Sequence, residues 1–95
     1  MILQFTKFKS TLSEEEADRV MHDRSPRFRE VPGLIQKYYI KDEKTGERGA
    51  VYVWESEAAM LAFRQTDLAE SLSEAYQIEG PRHAEIFDVA LVLRD

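Results

Sequence analysis

Leu34-Ile35-Gln36-Lys37-Tyr38-Tyr39-Ile40-Lys41, then Asp42-Glu43-Lys44-Thr45-Gly46-Glu47, then, past Arg48, Gly49-Ala50-Val51-Tyr52-Val53-Trp54-Glu55 form the middle of the chain. The first and last of these segments are rich in aromatic and β-branched residues with a period of two, the mark of strands. Leu34, Gln36, Tyr38 and Ile40 share one face, and Ile35, Lys37, Tyr39 and Lys41 the other. On the third segment Ala50, Tyr52 and Trp54 alternate with Val51, Val53 and Glu55. The polar linker carries Gly46 for a positive φ, so the two strands form a hairpin.

Helices flank this hairpin. Upstream, Ser13-Glu14-Glu15-Glu16 is a capping-box pattern, with three acids suited to the positive end of the helix dipole. Ala17, Val20, Met21 and Arg24 follow on one stripe. Pro26 is expected to end or kink this helix near Arg24, and Val31-Pro32-Gly33 turns into the hairpin. Downstream, Ser56 caps a helix with Ala59, Met60, Phe63 and Thr66 on its apolar face. Asp67 can restart it, with Leu68, Leu72, Ala75 and Tyr76 at helical spacing. Gly80-Pro81 is expected to stop it. A first strand over residues 2–9 and a last over 84–93 close the pattern. Leu3 and Phe5 point one way on the first strand, Ile2 and Phe8 the other, which suits a central strand covered on both faces.

The order β-α-β-β-α-β is the ferredoxin-like, split βαβ arrangement of the α+β class. Right-handed crossovers place both helices on one face of a four-stranded antiparallel sheet. The other face still carries large apolar side chains, and no third helix remains to cover it. A second copy of the sheet is the simplest cover, so a homodimer through sheet-to-sheet packing is expected.

The chain of 95 residues makes one domain, residues 1–95, with a modest core. It is 43% hydrophobic and 33% charged, which argues for a folded chain. A net charge of −5 disfavours nucleic acid as a partner. With no cysteine there is no disulfide, thiolate metal site or cysteine nucleophile. No stretch approaches the length of a membrane helix, and residues 1–9 do not read as a signal peptide. A cytoplasmic location is the corresponding expectation. No phosphate-binding glycine loop and no G-x-S-x-G elbow occurs. His22 and His83 lie far apart in sequence, and no metal site is expected.

Two segments carry a resemblance: Val31-Pro32-Gly33-Leu34-Ile35-Gln36-Lys37-Tyr38-Tyr39, and Gly49-Ala50-Val51-Tyr52-Val53-Trp54-Glu55-Ser56-Glu57-Ala58-Ala59. With the element order, they resemble the dimeric α+β barrel proteins. More narrowly, the chain is similar to the small mono-oxygenases of the YdhR type, relatives of the antibiotic-biosynthesis mono-oxygenases. The likeness spans nearly the whole chain and is clearest from Val31 to Tyr76. It implies oxygenase chemistry without a cofactor: a small aromatic or polyketide-like substrate is deprotonated in a pocket between sheet and helices and reacts directly with O₂. Trp54 matches the strand tryptophan that lines the pocket in quinone-forming relatives. The asparagine and tyrosine of those relatives fall at Ala50 and Met60. The tryptophan and histidine of the haem-degrading relatives fall at Phe63 and Ser73.

The expected site therefore has Trp54, Tyr52 and Tyr38 as an aromatic wall, joined by Met60 and Phe63. Arg24 is the candidate anion holder, from a cluster with Arg19, Arg27 and Arg29. His22, at the edge of the apolar stripe, is the candidate base. Against this stands ordinary packing: strand aromatics more often fill a core, and helix histidines more often face solvent. The alternatives to an enzyme are a non-catalytic ligand-binding dimer and a structural or stress-response dimer. A filled interior, with Trp54 packed on Phe63 and Met60, would favour the last.

Overall fold

In the computed structural model, which describes residues 1–94, four strands form one antiparallel sheet in the order β2-β3-β1-β4. The strands are β1 (Ile2–Ser10), β2 (Leu34–Lys41), β3 (Arg48–Trp54) and β4 (Ile78–Asp88). The helices are α1 (Glu14–Phe28), α2 (Glu57–Phe63), α3 (Asp67–Glu70) and α4 (Leu72–Tyr76). β1 is central: it pairs with β3 from Ile2 opposite Trp54 to Phe8 opposite Arg48, and with β4 on its other side. The ferredoxin-like α+β fold read from the sequence is the fold of the chain.

The buried residues of the strands lie on a single face. Ile2, Gln4 and Phe8 of β1 and Ala50, Tyr52 and Trp54 of β3 are packed beneath the helices. Phe28, Met60, Phe63 and Leu68 complete that core, while Phe8, Ala17 and Tyr76 make a second cluster. The opposite face holds Leu3, Phe5, Val51 and Val53 half-buried, with Tyr38 and Phe87 exposed.

The first helix begins as its sequence predicts. Ser13 Oγ accepts from the Glu16 amide at 3.1 Å, and the Glu16 carboxylate accepts from the Ser13 amide. It does not end near Arg24: Pro26 lies inside it, and the helix runs to Phe28. A proline there removes the donor that would meet the His22 carbonyl, and the Ser25 hydroxyl donates to that carbonyl instead, at 3.1 Å. Extension carries Phe28 into the core.

The second helical stretch is three short helices. Thr66 caps the middle one by accepting from the Ala69 amide. The last ends at Tyr76, with Gln77 left-handed at φ 48°, rather than at Gly80-Pro81. The final strand also starts earlier than read, at Ile78, and ends at Asp88. Gly80-Pro81 lies within it, where the register steps from Lys7 opposite His83 to Lys9 opposite Glu79. β4 is an edge strand, and proline is tolerated at bulges on edges because no ladder amide is missed.

Candidate functional site

Between the helix-covered face and α2–α4 lies a cavity of about 430 Å³. Gln4, Thr6 and Phe8 of β1 and Tyr52 of β3 form its floor; Phe28, Phe63, Leu68 and Leu72 form its roof. Arg82, His83 and Ala84 of β4 and Arg64 and Glu70 line it as well. The volume suits a small organic molecule.

Aromatic rings dominate the inner wall. Tyr52 and Phe63 lie 6.2 Å apart between centroids, and Phe28 lies 5.7 Å from Phe63. Trp54 stacks on Tyr52 at 5.8 Å and packs against Phe63 at 5.4 Å. Trp54 is 0% exposed and does not line the cavity. Met60 is likewise core. The interior is thus filled around Trp54 and Met60 and open beyond Tyr52 and Phe63.

Trp54 stands behind three lining residues, Tyr52, Phe63 and Gln4, and hydrogen-bonds one of them. Its indole Nε1–H donates to Gln4 Oε1 at 3.0 Å, in a buried contact between adjacent strands. Gln4 is a site residue that the sequence analysis does not single out. The available signal was its place on the row of Ile2 and Phe8, where a polar side chain needs a partner.

The remaining expected residues disperse. Tyr38 is 57% exposed on the open face of the sheet, where it pairs with Val51, while Tyr52 points to the helix-covered face, because strand neighbours alternate faces. His22 is exposed on α1 and does not line the cavity. Arg24 donates to the Leu68 carbonyl at 2.6 Å and to Ser71 Oγ at 3.1 Å, so it ties α1 to the α3–α4 junction. His83, at the cavity's β4 side, has Nε2 2.7 Å from a Glu85 carboxylate oxygen.

One half-buried cation adjoins this wall. Lys37 Nζ sits 3.2 Å from the centroid of Phe28, 4.3 Å from Tyr39 and 4.7 Å from Tyr52. Burial, and secondarily the nearby Arg24 charge, push its pKa down to about 7. Burial pushes the Tyr39 phenol up to about 12 and raises Tyr52 still further. Tyr39 Oη is buried without a hydrogen-bond partner. Among the described residues, no group of three His, Asp or Glu side chains is placed to hold a metal ion.

The family model described as "Putative mono-oxygenase ydhR" matches residues 2–92. The chain belongs to this family. Solved structures similar to this ydhR-family chain share its fold. SnoaB from Streptomyces nogalater, a cofactor-independent oxygenase, superposes with a TM-score of 0.77 at 12% identity, over 99% of this chain and 97% of that one. A "putative antibiotic biosynthesis monooxygenase" from Caulobacter crescentus CB15 gives 0.81 at 17% identity, over 95% and 90%. A protein of unknown function from Nitrosomonas europaea also gives 0.81, at 13% identity, over 99% and 93%. No curated protein matches the ydhR-family chain by sequence.

Proposed function

We propose that this chain is a cofactor-independent mono-oxygenase acting on a small hydroxylated aromatic molecule in the 430 Å³ cavity. The observation that carries the reading is the cavity itself: it lies between sheet and helices, and Phe28, Tyr52 and Phe63 offer it flat apolar surface. Membership of the ydhR family supplies the reaction class.

In such a reaction a phenol loses its proton and its ring carbon gives electrons to O₂. A hydroperoxide forms on that carbon and collapses to a carbonyl. One oxygen atom stays on the ring and the other leaves as water, so phenol plus O₂ becomes quinone plus water. The protein's part is to orient the ring, hold the anion and exclude bulk water. Tyr52 and Phe63 are the ring contacts in this reading. Arg64 and Arg82 give the cavity a positive rim that suits an anionic substrate.

The test is oxygen uptake with a panel of naphthols and hydroquinones. Substrate-dependent uptake that falls on Phe63→Ala supports the reading; none across the panel ends it. His22 is exposed and outside the lining, and His83 in the lining is engaged with Glu85, which favours a second reading, in which the cavity binds a ligand with neither histidine as a free base. Saturable binding with no oxygen uptake would select that reading.

The working unit in this proposal is a homodimer joined through the open sheet face. Leu3, Phe5, Val51, Val53 and Tyr38 form an apolar strip across its strands, which a second copy would cover.

A further inference from the structure

We infer that the Gln4 carboxamide is the group that holds the substrate's oxyanion, with its orientation set by Trp54. The inference deepens the mono-oxygenase reading and rests on the cavity being the substrate's place.

An indole N–H only donates, so the Gln4 atom 3.0 Å from it must be the carbonyl oxygen. The other end, Nε2 with two N–H donors, then points away from Trp54. Among the described residues no acceptor meets it, and it is not among the buried atoms lacking a partner, so it keeps accessible surface. The cavity of about 430 Å³ is the open space that Gln4 lines. Two donors are thus presented to that space by a side chain that is itself only 9% exposed.

Preorganised donors of this kind are what an anion needs. They cost no reorientation when charge develops, and inside a dry site they act more strongly than in water. The arrangement is held twice over: Gln4 is clamped by Trp54, and Trp54 is clamped by Tyr52 and Phe63. Trp54 is therefore a positioning residue, and its buried place is the place the role requires. Ala50, where the quinone-forming relatives have an asparagine, lies opposite Thr6 on the same sheet face, one row from Gln4 opposite Tyr52.

The register also bounds the ligand. Gln4 lies opposite Ile86, and Arg82 is four residues earlier on β4. At about 3.3 Å per residue, the two backbone rows lie about 13 Å apart before the bulge shortens them. One or two fused rings fit between, with a hydroxyl at Gln4.

The probe is 4-nitrophenol, whose phenolate is coloured and whose phenol is not. Bound to the wild-type chain, it should ionise at lower pH than in free solution. Gln4→Glu keeps an acceptor for Trp54 but replaces the donors with a second oxygen. It should bind the phenolate at least tenfold more weakly while the indole emission stays unchanged. Equal phenolate binding by Gln4→Glu would overturn the inference, as would a wild-type chain that does not bind the probe or does not favour its phenolate. If Gln4→Glu does not fold, the Gln4 side-chain amide signals in the NMR spectrum of the wild type decide. They should shift on adding the phenolate, and unmoved signals overturn the inference. The two readings fail separately. Phenolate held at Gln4 without oxygen uptake removes the oxygenase and keeps this site; oxygen uptake equal in Gln4→Glu and wild type removes this site and keeps the oxygenase.

Discussion

Lys37 is the residue whose environment departs furthest from its chemistry. Its ammonium lies against Phe28, Tyr39 and Tyr52, with Arg24 as the nearest charge to disfavour it. The ring faces attract the cation, but they repay only part of its lost hydration. Folding thus lowers its pKa from 10.5 to about 7. Between these values the unfolded chain holds a proton the folded chain has released, so stability rises with pH across that window. The penalty is complete below about pH 7. Lys37→Met should raise stability at pH 7 by about 1–2 kcal/mol and flatten its rise towards pH 10. Urea melts at pH 7 and 9.5 check this, and equal slopes in both chains would refute it. Gly49 is a second such residue. A Cβ there would collide with the Thr6 carbonyl oxygen on the paired strand. Gly49→Ala should cost about 3 kcal/mol or more, read as a lowered melting temperature. What the sequence said about individual residues was uneven for a physical reason. Alternation placed Tyr52 and Trp54 on one face and Tyr38 on the other. Alternation cannot say whether a ring lines a cavity or sits behind it, since that depends on how α2 and α3 lie over the sheet.

At the scale of elements, the start of α1 was legible because its signal is local: Ser13 and Glu16 satisfy each other's amides within one turn. Ser13→Ala should cost about 1 kcal/mol, measured by chemical denaturation. Its end was not legible, because proline's cost depends on whether another donor takes its place. Ser25 does so here. Ser25→Ala should destabilise the chain by about 1 kcal/mol, and more than Ser73→Ala if the His22 carbonyl matters. β4 teaches the same lesson. Gly80-Pro81 is strong punctuation in sequence, yet on an edge strand the bulge absorbs it, and Gln77 takes the left-handed turn that glycine was expected to take.

For the whole molecule, the uncovered sheet face sets the expectation. Val51 lies between Phe5 and Tyr38 in the middle of the apolar strip. Val51→Lys should convert the proposed dimer to a monomer with unchanged far-ultraviolet circular dichroism, since the side chain points away from the core. Light scattering reads the outcome, and a wild type already monomeric would refute the dimer. The fold was legible at this scale because the order of two periods, two and 3.6, leaves few arrangements. The cavity's place between sheet and helices came from the family resemblance, but its volume and lining were not legible, because they are what is left after every side chain has been placed.

The central position of β1 has a consequence in time. Its ladder partners are β3 and β4, and all four helices come off the ribosome before β4 does. A nascent chain therefore carries Ile2, Leu3, Phe5 and Phe8 with both edges of β1 unpaired until β3 is made, and one edge unpaired until β4 is. Such a strand invites pairing with a neighbouring copy. Shielding of that strand until β4 is made would then limit the share of this protein lost to aggregation.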